Sequence, residues 1–245
     1  DALPISMTYS NFTKPVWRWF LDTKRKVNGN GNRAGQQVLP GFMEPDGKLS
    51  GNGQDLVATY IKFIAGFPWH VRLHNMNPLD THDIPRFKTF AIDGAQKVAA
   101  GLQFSFPGIP VIWAGDEFGL DGWNGEASRT PLPWNNERPS DQSMIEVYSQ
   151  LAALRKANSA LVDGSLRFVA ATSEAIAFVR QNQKQSVLVV ATRGKVSDLE
   201  ISIDGVPGIA NAKLIYGKAE LKAGKKKAKI SAGKLTFAVW HLPTN

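Results

Sequence analysis

His82 and Asp83 stand side by side in Leu79-Asp80-Thr81-His82-Asp83-Ile84-Pro85-Arg86, after one apolar segment and before a helix-like one. A carboxylate beside a hydrogen-bond donor at the end of a strand can grip hydroxyls or help move a proton. The same spacing fits a plainer role. Asp83 precedes Pro85, and an aspartate just before a proline in the first helical turn is a standard cap. Spacing alone does not choose between them. A second acidic group, Gly115-Asp116-Glu117, follows Ile109-Pro110-Val111-Ile112-Trp113. Two carboxylates there could form an acid/base pair, but a role in bracing neighbouring loops suits them better.

A third segment, Asn124-Gly125-Glu126-Ala127-Ser128-Arg129-Thr130-Pro131-Leu132-Pro133-Trp134, combines an arginine with aromatic side chains in a polar loop. Sugars fit such surroundings, because their hydroxyls take charged partners and their apolar faces stack on rings. Arg129 and Glu126 are the polar candidates. For Trp123 and Trp134 packing into the core is the expected role. His70, His74 and His241 have no metal-ligand spacing, so no metal site is expected. The chain contains neither a glycine-rich phosphate loop before a helix nor a Gly-x-Ser-x-Gly nucleophile elbow.

Charged residues where buried strands end are what the C-terminal mouth of a β/α barrel presents, and such barrels do their chemistry there. The elements needed to build that mouth can be read along the chain. Residues 2–8 read as a short buried strand, Phe12 to Leu21 as an amphipathic helix, and Val27 to Gly53 as a long Gly- and Asn-rich loop. Asp55 to Phe67 has helical spacing. Val71 to Met76 is a strand candidate feeding the His82–Asp83 loop, and Phe87 to Phe106 reads as one helix. Gln142 to Asn158 is a further helix.

After about residue 160 the texture changes. Leu166–Ala170, Ala175–Arg180, Val187–Ala191, Leu199–Ile203, Ala212–Ile215 and Leu235–Leu242 are short β-like segments separated by Gly, Asn and Lys turns. That rhythm predicts an antiparallel sandwich. The expected fold class is thus α/β followed by all-β, with a boundary near residues 155–165.

Composition narrows the function classes. The 245 residues are 43% hydrophobic and 10% aromatic, enough for one or two cores, and cysteine is absent, so disulfides and thiolate metal sites are excluded. No uncharged apolar run approaches the roughly 20 residues of a membrane span. The net charge is +8, and Lys222, Lys225, Lys226, Lys227 and Lys229 supply much of it. Lysines so clustered suit a solvated hairpin edge better than a nucleic-acid patch. Neither nucleic acid nor membrane is an expected partner. The first residue is Asp1, and both cytoplasmic and secreted locations stay open.

Together these segments resemble the α-amylase family of glycoside hydrolases (family 13), in its neopullulanase and maltodextrin-degrading type. Leu79 to Phe87 resembles the family's His-Asp segment after the seventh barrel strand. Pro107-Gly108-Ile109-Pro110-Val111-Ile112-Trp113-Ala114-Gly115-Asp116-Glu117 resembles its eighth-strand segment, and Asp1 to Tyr9 its sixth strand. Leu154 to Leu161 and Gly164 resemble the junction with a C-terminal sandwich. The resemblance implies the C-terminal part of a TIM (β/α)8 barrel, strands 6–8 with their helices, over residues 1–158, and an antiparallel β-sandwich over residues 159–245.

The resemblance also implies retaining chemistry at α-glucosidic bonds, on an α-glucan oligosaccharide substrate of the starch or maltodextrin type. Asp83 matches the family's transition-state stabiliser and His82 its neighbouring sugar-binding residue. Arg129 matches an arginine that holds the next sugar. Gly125 replaces an acidic residue found in many members, and Glu126 stands in for it. The family's nucleophile, in an Arg-x-Asp context, and its acid/base, in a Gly-Glu context, would both precede Asp1; Glu44, Asp46 and Glu117 are no substitutes. The expectation is therefore a fragment that needs the N-terminal part of the barrel as its partner and is inactive alone. No cofactor is implied in this chain. A calcium ion in the missing part and a homodimer are compatible with the resemblance. The competing readings are a non-catalytic carbohydrate-binding or scaffold protein on the same fold, and a polyanion-binding protein using the lysine-rich tail.

Overall fold

Val16, Trp17, Trp19 and Phe20 place apolar bulk around most of a short helix, α1 (Lys14–Phe20), and all four are buried. Pro15 sits in its first turn, where a missing N–H costs nothing. A π-helical turn, Tyr9–Thr13, leads into it. The computed structural model describes residues 7–27, 32–33, 50–135 and 139–243. Most of the expected strand over residues 2–8 and most of the loop over 27–53, with Glu44 and Asp46, therefore lie outside the described residues. At the edge of that loop β1 (Lys26–Val27) pairs antiparallel with β2 (Asn32–Arg33).

Three short extended segments run parallel, in chain order. Met7 bridges Met76, and β3 (Met76–Pro78) pairs with β4 (Ile109–Val111) in the register Met76 to Ile109. Helices α1 and α2 (Gly53–Ile64) join the first crossing, and α5 (Ala95–Ser105) joins the second. Parallel strands need such long connections. Polar side chains lace the array together. Thr8 Oγ1 reaches Asn77 Oδ1 at 2.7 Å, and the buried Gln103 amide donates to Asn77 O and Val111 O at 3.0 and 2.7 Å.

Two sequence expectations need correction. Trp69–His74 forms a helix, α3, and the strand begins only at Met76. The carbonyl of Pro68 accepts from Val71 N and Arg72 N, which starts a helical turn, and Val71 is the buried residue of that helix. Residues 87–106 are two helices, α4 (Phe87–Phe90) and α5, not one. Ala91 pairs with Leu21, Ile92 N bonds Phe20 O, and Gly94 takes φ +85°. Pairing with the α1 exit takes the backbone groups that a continuous helix would need.

Past α6 (Gly125–Ser128) and α7 (Gln142–Ala157), a short helix, α8 (Ser159–Asp163), gives way to strands. β5 (Ser165–Ala171), β6 (Ala175–Gln181), β7 (Ser186–Thr192), β12 (Phe237–Leu242) and β9 (Lys213–Tyr216) form one antiparallel sheet in that order. β10 (Ala219–Ala223), β11 (Lys227–Ala232) and β8 (Val196–Ser202) form a second. Strands alternate their side chains between faces. In β6 and β7, Ile176, Phe178, Val187 and Val189 belong to the core shared with the helices, while Ala177, Val179, Leu188 and Val190 meet Leu199, Ile201 and Ile230 of the second sheet. The lysine-rich stretch lies on the β10–β11 hairpin, with Lys222 opposite Lys229 and β10 at the sheet edge.

One fully buried arginine, Arg180, and one partly buried arginine, Arg155, close the seam. Arg180 donates to the carbonyls of Gly164, Ser165 and Ser105, and Arg155 to those of Phe104, Leu161 and Gly108. They satisfy carbonyls at the end of α5 that have no helical partner. Burial lowers their pKa values to about 9 and about 10, so both stay cationic near neutrality.

Candidate functional site

The loop after β3 must leave a buried strand and enter α4 within a few residues. Asp80 does the structural work. Its Oδ2 accepts from Phe87 N at 2.6 Å, at the start of α4, and Asp80 is 1% exposed. Asp83 is therefore not the cap that its spacing allowed. Thr81 Oγ1 takes up Asp83 N at 3.3 Å and meets Tyr9 OH at 2.8 Å. This leaves the Asp83 carboxylate pointing outward, 3.1 Å from His82 Nε2, with the two side chains 59% and 53% exposed.

The loop after β4 and α6 complete the arrangement. Arg129 Nε donates to His82 O at 3.0 Å, and its Nη1 lies 3.2 Å from Glu126 Oε1. Asn124 caps α6 through Ala127 N at 2.6 Å. A Cβ at Gly125 would lie 3.4 Å from His82 O, so α6 packs close over the His82–Asp83 backbone. The ring of Trp113 lies 6.0 Å from that of His82, centroid to centroid. His82, Asp83, Arg129 and Glu126 are thus brought together at the carboxyl ends of β3 and β4. Trp123 and Trp134 are not core residues. Trp134 is 75% exposed and meets Phe118 edge-on, while Pro133 is the buried residue of its segment.

Beneath the exposed residues lies a buried ionic cluster that spacing did not reveal. Arg86 and Asp116 pair at 2.8 Å with 1% and 2% exposure. Burial raises the Asp116 carboxyl well above the ordinary range, and the neighbouring Asp80 adds to this while Arg86 opposes it. Burial also raises Asp80. Glu117 Oε2 accepts from Gly115 N at 2.8 Å and braces its own turn. Arg86 and Asp116 stand thirty residues apart in the chain, and only the fold joins them.

This site can bind hydroxyls and support positive charge through Asp83. Among the described residues no group of His, Cys, Asp or Glu could hold a metal ion, and no helix is long and apolar enough to cross a membrane.

No family model matches the chain. It is 35% identical over 139 residues to a cyclomaltodextrinase of a Bacillus species, covering 55% of this chain and 25% of that one. To an intracellular maltogenic amylase of Bacillus subtilis it is 33% identical over 213 residues, 83% of this chain and 32% of that protein. The debranching enzyme of Nostoc punctiforme superposes over 96% of this chain and 47% of its own, with a TM-score of 0.75 at 19% identity. The chain belongs to the α-amylase family. Its parallel strands and helices are part of that family's TIM barrel, and the two antiparallel sheets formed by β5 to β12 match a C-terminal sandwich. Relatives of the α-amylase family that it matches are longer; the chain spans a third of their length or less.

Proposed function

We propose that this chain supplies the sugar-gripping corner of a retaining hydrolase acting on α-glucosidic bonds of starch- or maltodextrin-type glucans. One observation carries the reading: an exposed His82–Asp83 pair, 3.1 Å apart, stands at the carboxyl ends of parallel strands with Arg129 bonded to the His82 carbonyl. Relatives named cyclomaltodextrinase, maltogenic amylase and neopullulanase support the substrate class.

Retaining cleavage passes through an oxocarbenium-like sugar, with one carboxylate attacking and another serving as acid and then base. In this reading Asp83 does neither. It accepts hydrogen bonds from hydroxyls of the sugar being cleaved, and these strengthen as the ring flattens and gains positive charge. His82 donates to the same sugar. Arg129, held by Glu126, orients the next sugar. The nucleophile and the acid/base come from the rest of the barrel, so this chain binds sugar but does not cleave it alone. Residues 1–158 form the barrel part and 159–245 the sandwich.

Product analysis of the full-length protein on starch, pullulan, cyclodextrin and maltose tests this. Release of α-configured products from at least one substrate is the expected result. Glucan binding without cleavage would favour a carbohydrate-binding scaffold, and neither binding nor cleavage would refute both readings.

A further inference from the structure

We propose that Arg86 is the positioning residue of this site: through Asp116 and Asp80 it fixes the loops that carry His82, Asp83 and Arg129. The proposal rests on the functional reading for its kinetic consequence, and on the geometry alone for its structural one.

The Arg86 guanidinium is 1% exposed and gathers three loops. Nη1 meets Asp116 Oδ1 at 2.8 Å, and Nη2 donates to Ala114 O at 2.7 Å and Ser128 O at 2.9 Å. Its backbone N–H donates to Gly122 O at 2.8 Å. A rigid planar fork can hold such a set at once, and an ammonium cannot. Two routes lead from it to the exposed pair. The guanidinium lies 5.8 Å from the Trp113 ring centroid, and that ring packs against His82. Ser128 precedes Arg129, which bonds the His82 carbonyl. Gly115 guards the space: at φ +108° it already favours glycine, and a Cβ would stand 2.8 Å from Arg86 Nη2.

One guanidinium faces two buried carboxylates. Asp116 Oδ2 and Asp80 Oδ1 are buried without a hydrogen-bond partner, and the two carboxyls are close enough to act on each other's charge. A proton held between them makes the cluster neutral, which a water-excluded site demands. The other groups facing it are Glu117, Gln96, which donates to Asp116 O, and the buried Tyr148, whose phenol is pushed up by burial and by both aspartates. None supplies a second positive charge. The held proton therefore keeps the clamp closed, and losing it as pH rises through the elevated carboxyl range loosens the loops.

The test uses the full-length protein labelled with ¹³C-histidine, with Arg86→Lys and Asp116→Asn variants. For R86K the expected result is a shifted or split His82 signal with the His241 signal unchanged, and a fall in kcat on maltohexaose of about 10²-fold with little change in KM. An unmoved His82 signal and normal kcat overturn the proposal. Beyond the step from its own imidazole titration, the wild-type His82 signal should show a second step as pH rises, and D116N should remove that second step alone; a second step that persists in D116N overturns the proton assignment. If R86K does not fold, D116N decides, because breaking the ion pair must move the His82 signal. If the wild type cleaves no glucan, the functional reading fails while the His82 signal still decides the role of Arg86.

Discussion

β3 and β4 are three residues long and end in loops that carry His82, Asp83 and Arg129. β6 and β7 are seven residues long, and every residue of β7 is buried. The first region is ordered by discrete polar contacts: Gln103 across the strands, Asp80 under α4, Arg86 under three loops. The second is ordered by aliphatic area spread over two cores. A polar scaffold fixes direction at one atom, which a binding site needs, and it fails when one group is removed. A spread of apolar contacts tolerates loss at the rim and yields only when its centre is hollowed.

The seam between the regions should show the largest effect. Phe106 is fully buried and meets the rings of Phe12, Tyr60, Phe168 and Phe178. Phe106→Ala should cost about 3–5 kcal/mol in urea unfolding. A loss below about 1 kcal/mol would mean that the two regions do not share a core.

Gly101→Ala probes the same seam from the helix side. A Cβ there would fall 2.3 Å from Phe237 Cγ, so α5 rests on β12 with no room for a methyl group. Overpacking of this kind costs about 1–3 kcal/mol. Equal or higher stability in thermal melts would show that the contact gives way freely.

The polar region should respond to pH where the sandwich does not. The Asp80 and Asp116 carboxyls are raised in the folded chain, so folding binds their proton more tightly than the unfolded chain does. Their contribution is full below the ordinary carboxylate value of 3.8 and is lost as pH rises through the elevated values. Melts at stepped pH should therefore show wild-type stability falling above the ordinary carboxylate range, and D116N should flatten that fall. Parallel profiles would contradict the shared proton.

The smallest effect belongs to the hairpin. Replacing Lys225, Lys226 and Lys227 with Gln should change stability by less than about 0.5 kcal/mol per site, since all three are exposed. Salt-sensitive nucleic-acid binding lost in the triple variant would revive the polyanion reading.

What the sequence disclosed follows the same division. The helix expected over Gln142–Asn158 forms over Gln142–Ala157, and the six β-like segments of the tail each form strands, because local periodicity and turn residues specify them. The lysine cluster reads as a solvated hairpin edge, and it lies on the β10–β11 hairpin, but the two strands themselves are so rich in lysine that alternation does not mark their bounds. The helix at Trp69–His74 and the break at Ala91–Gly94 were hidden because Pro68 and the pairing with Leu21 decide them, not periodicity. At the site, His82, Asp83 and Arg129 stood out by type and neighbourhood. Asp80 and Arg86 did not, since their partners are joined only by the fold, and no spacing marks a buried arginine.

Turnover of Asp83→Asn in the full-length protein bears most directly on the assignment. The substitution keeps the side chain's shape, and Asp83 makes no cap, so folding by circular dichroism should match the wild type. If Asp83 stabilises the charged sugar, kcat on a maltodextrin substrate falls by about 10²-fold or more. Near-normal turnover in a folded Asp83→Asn protein would contradict that role.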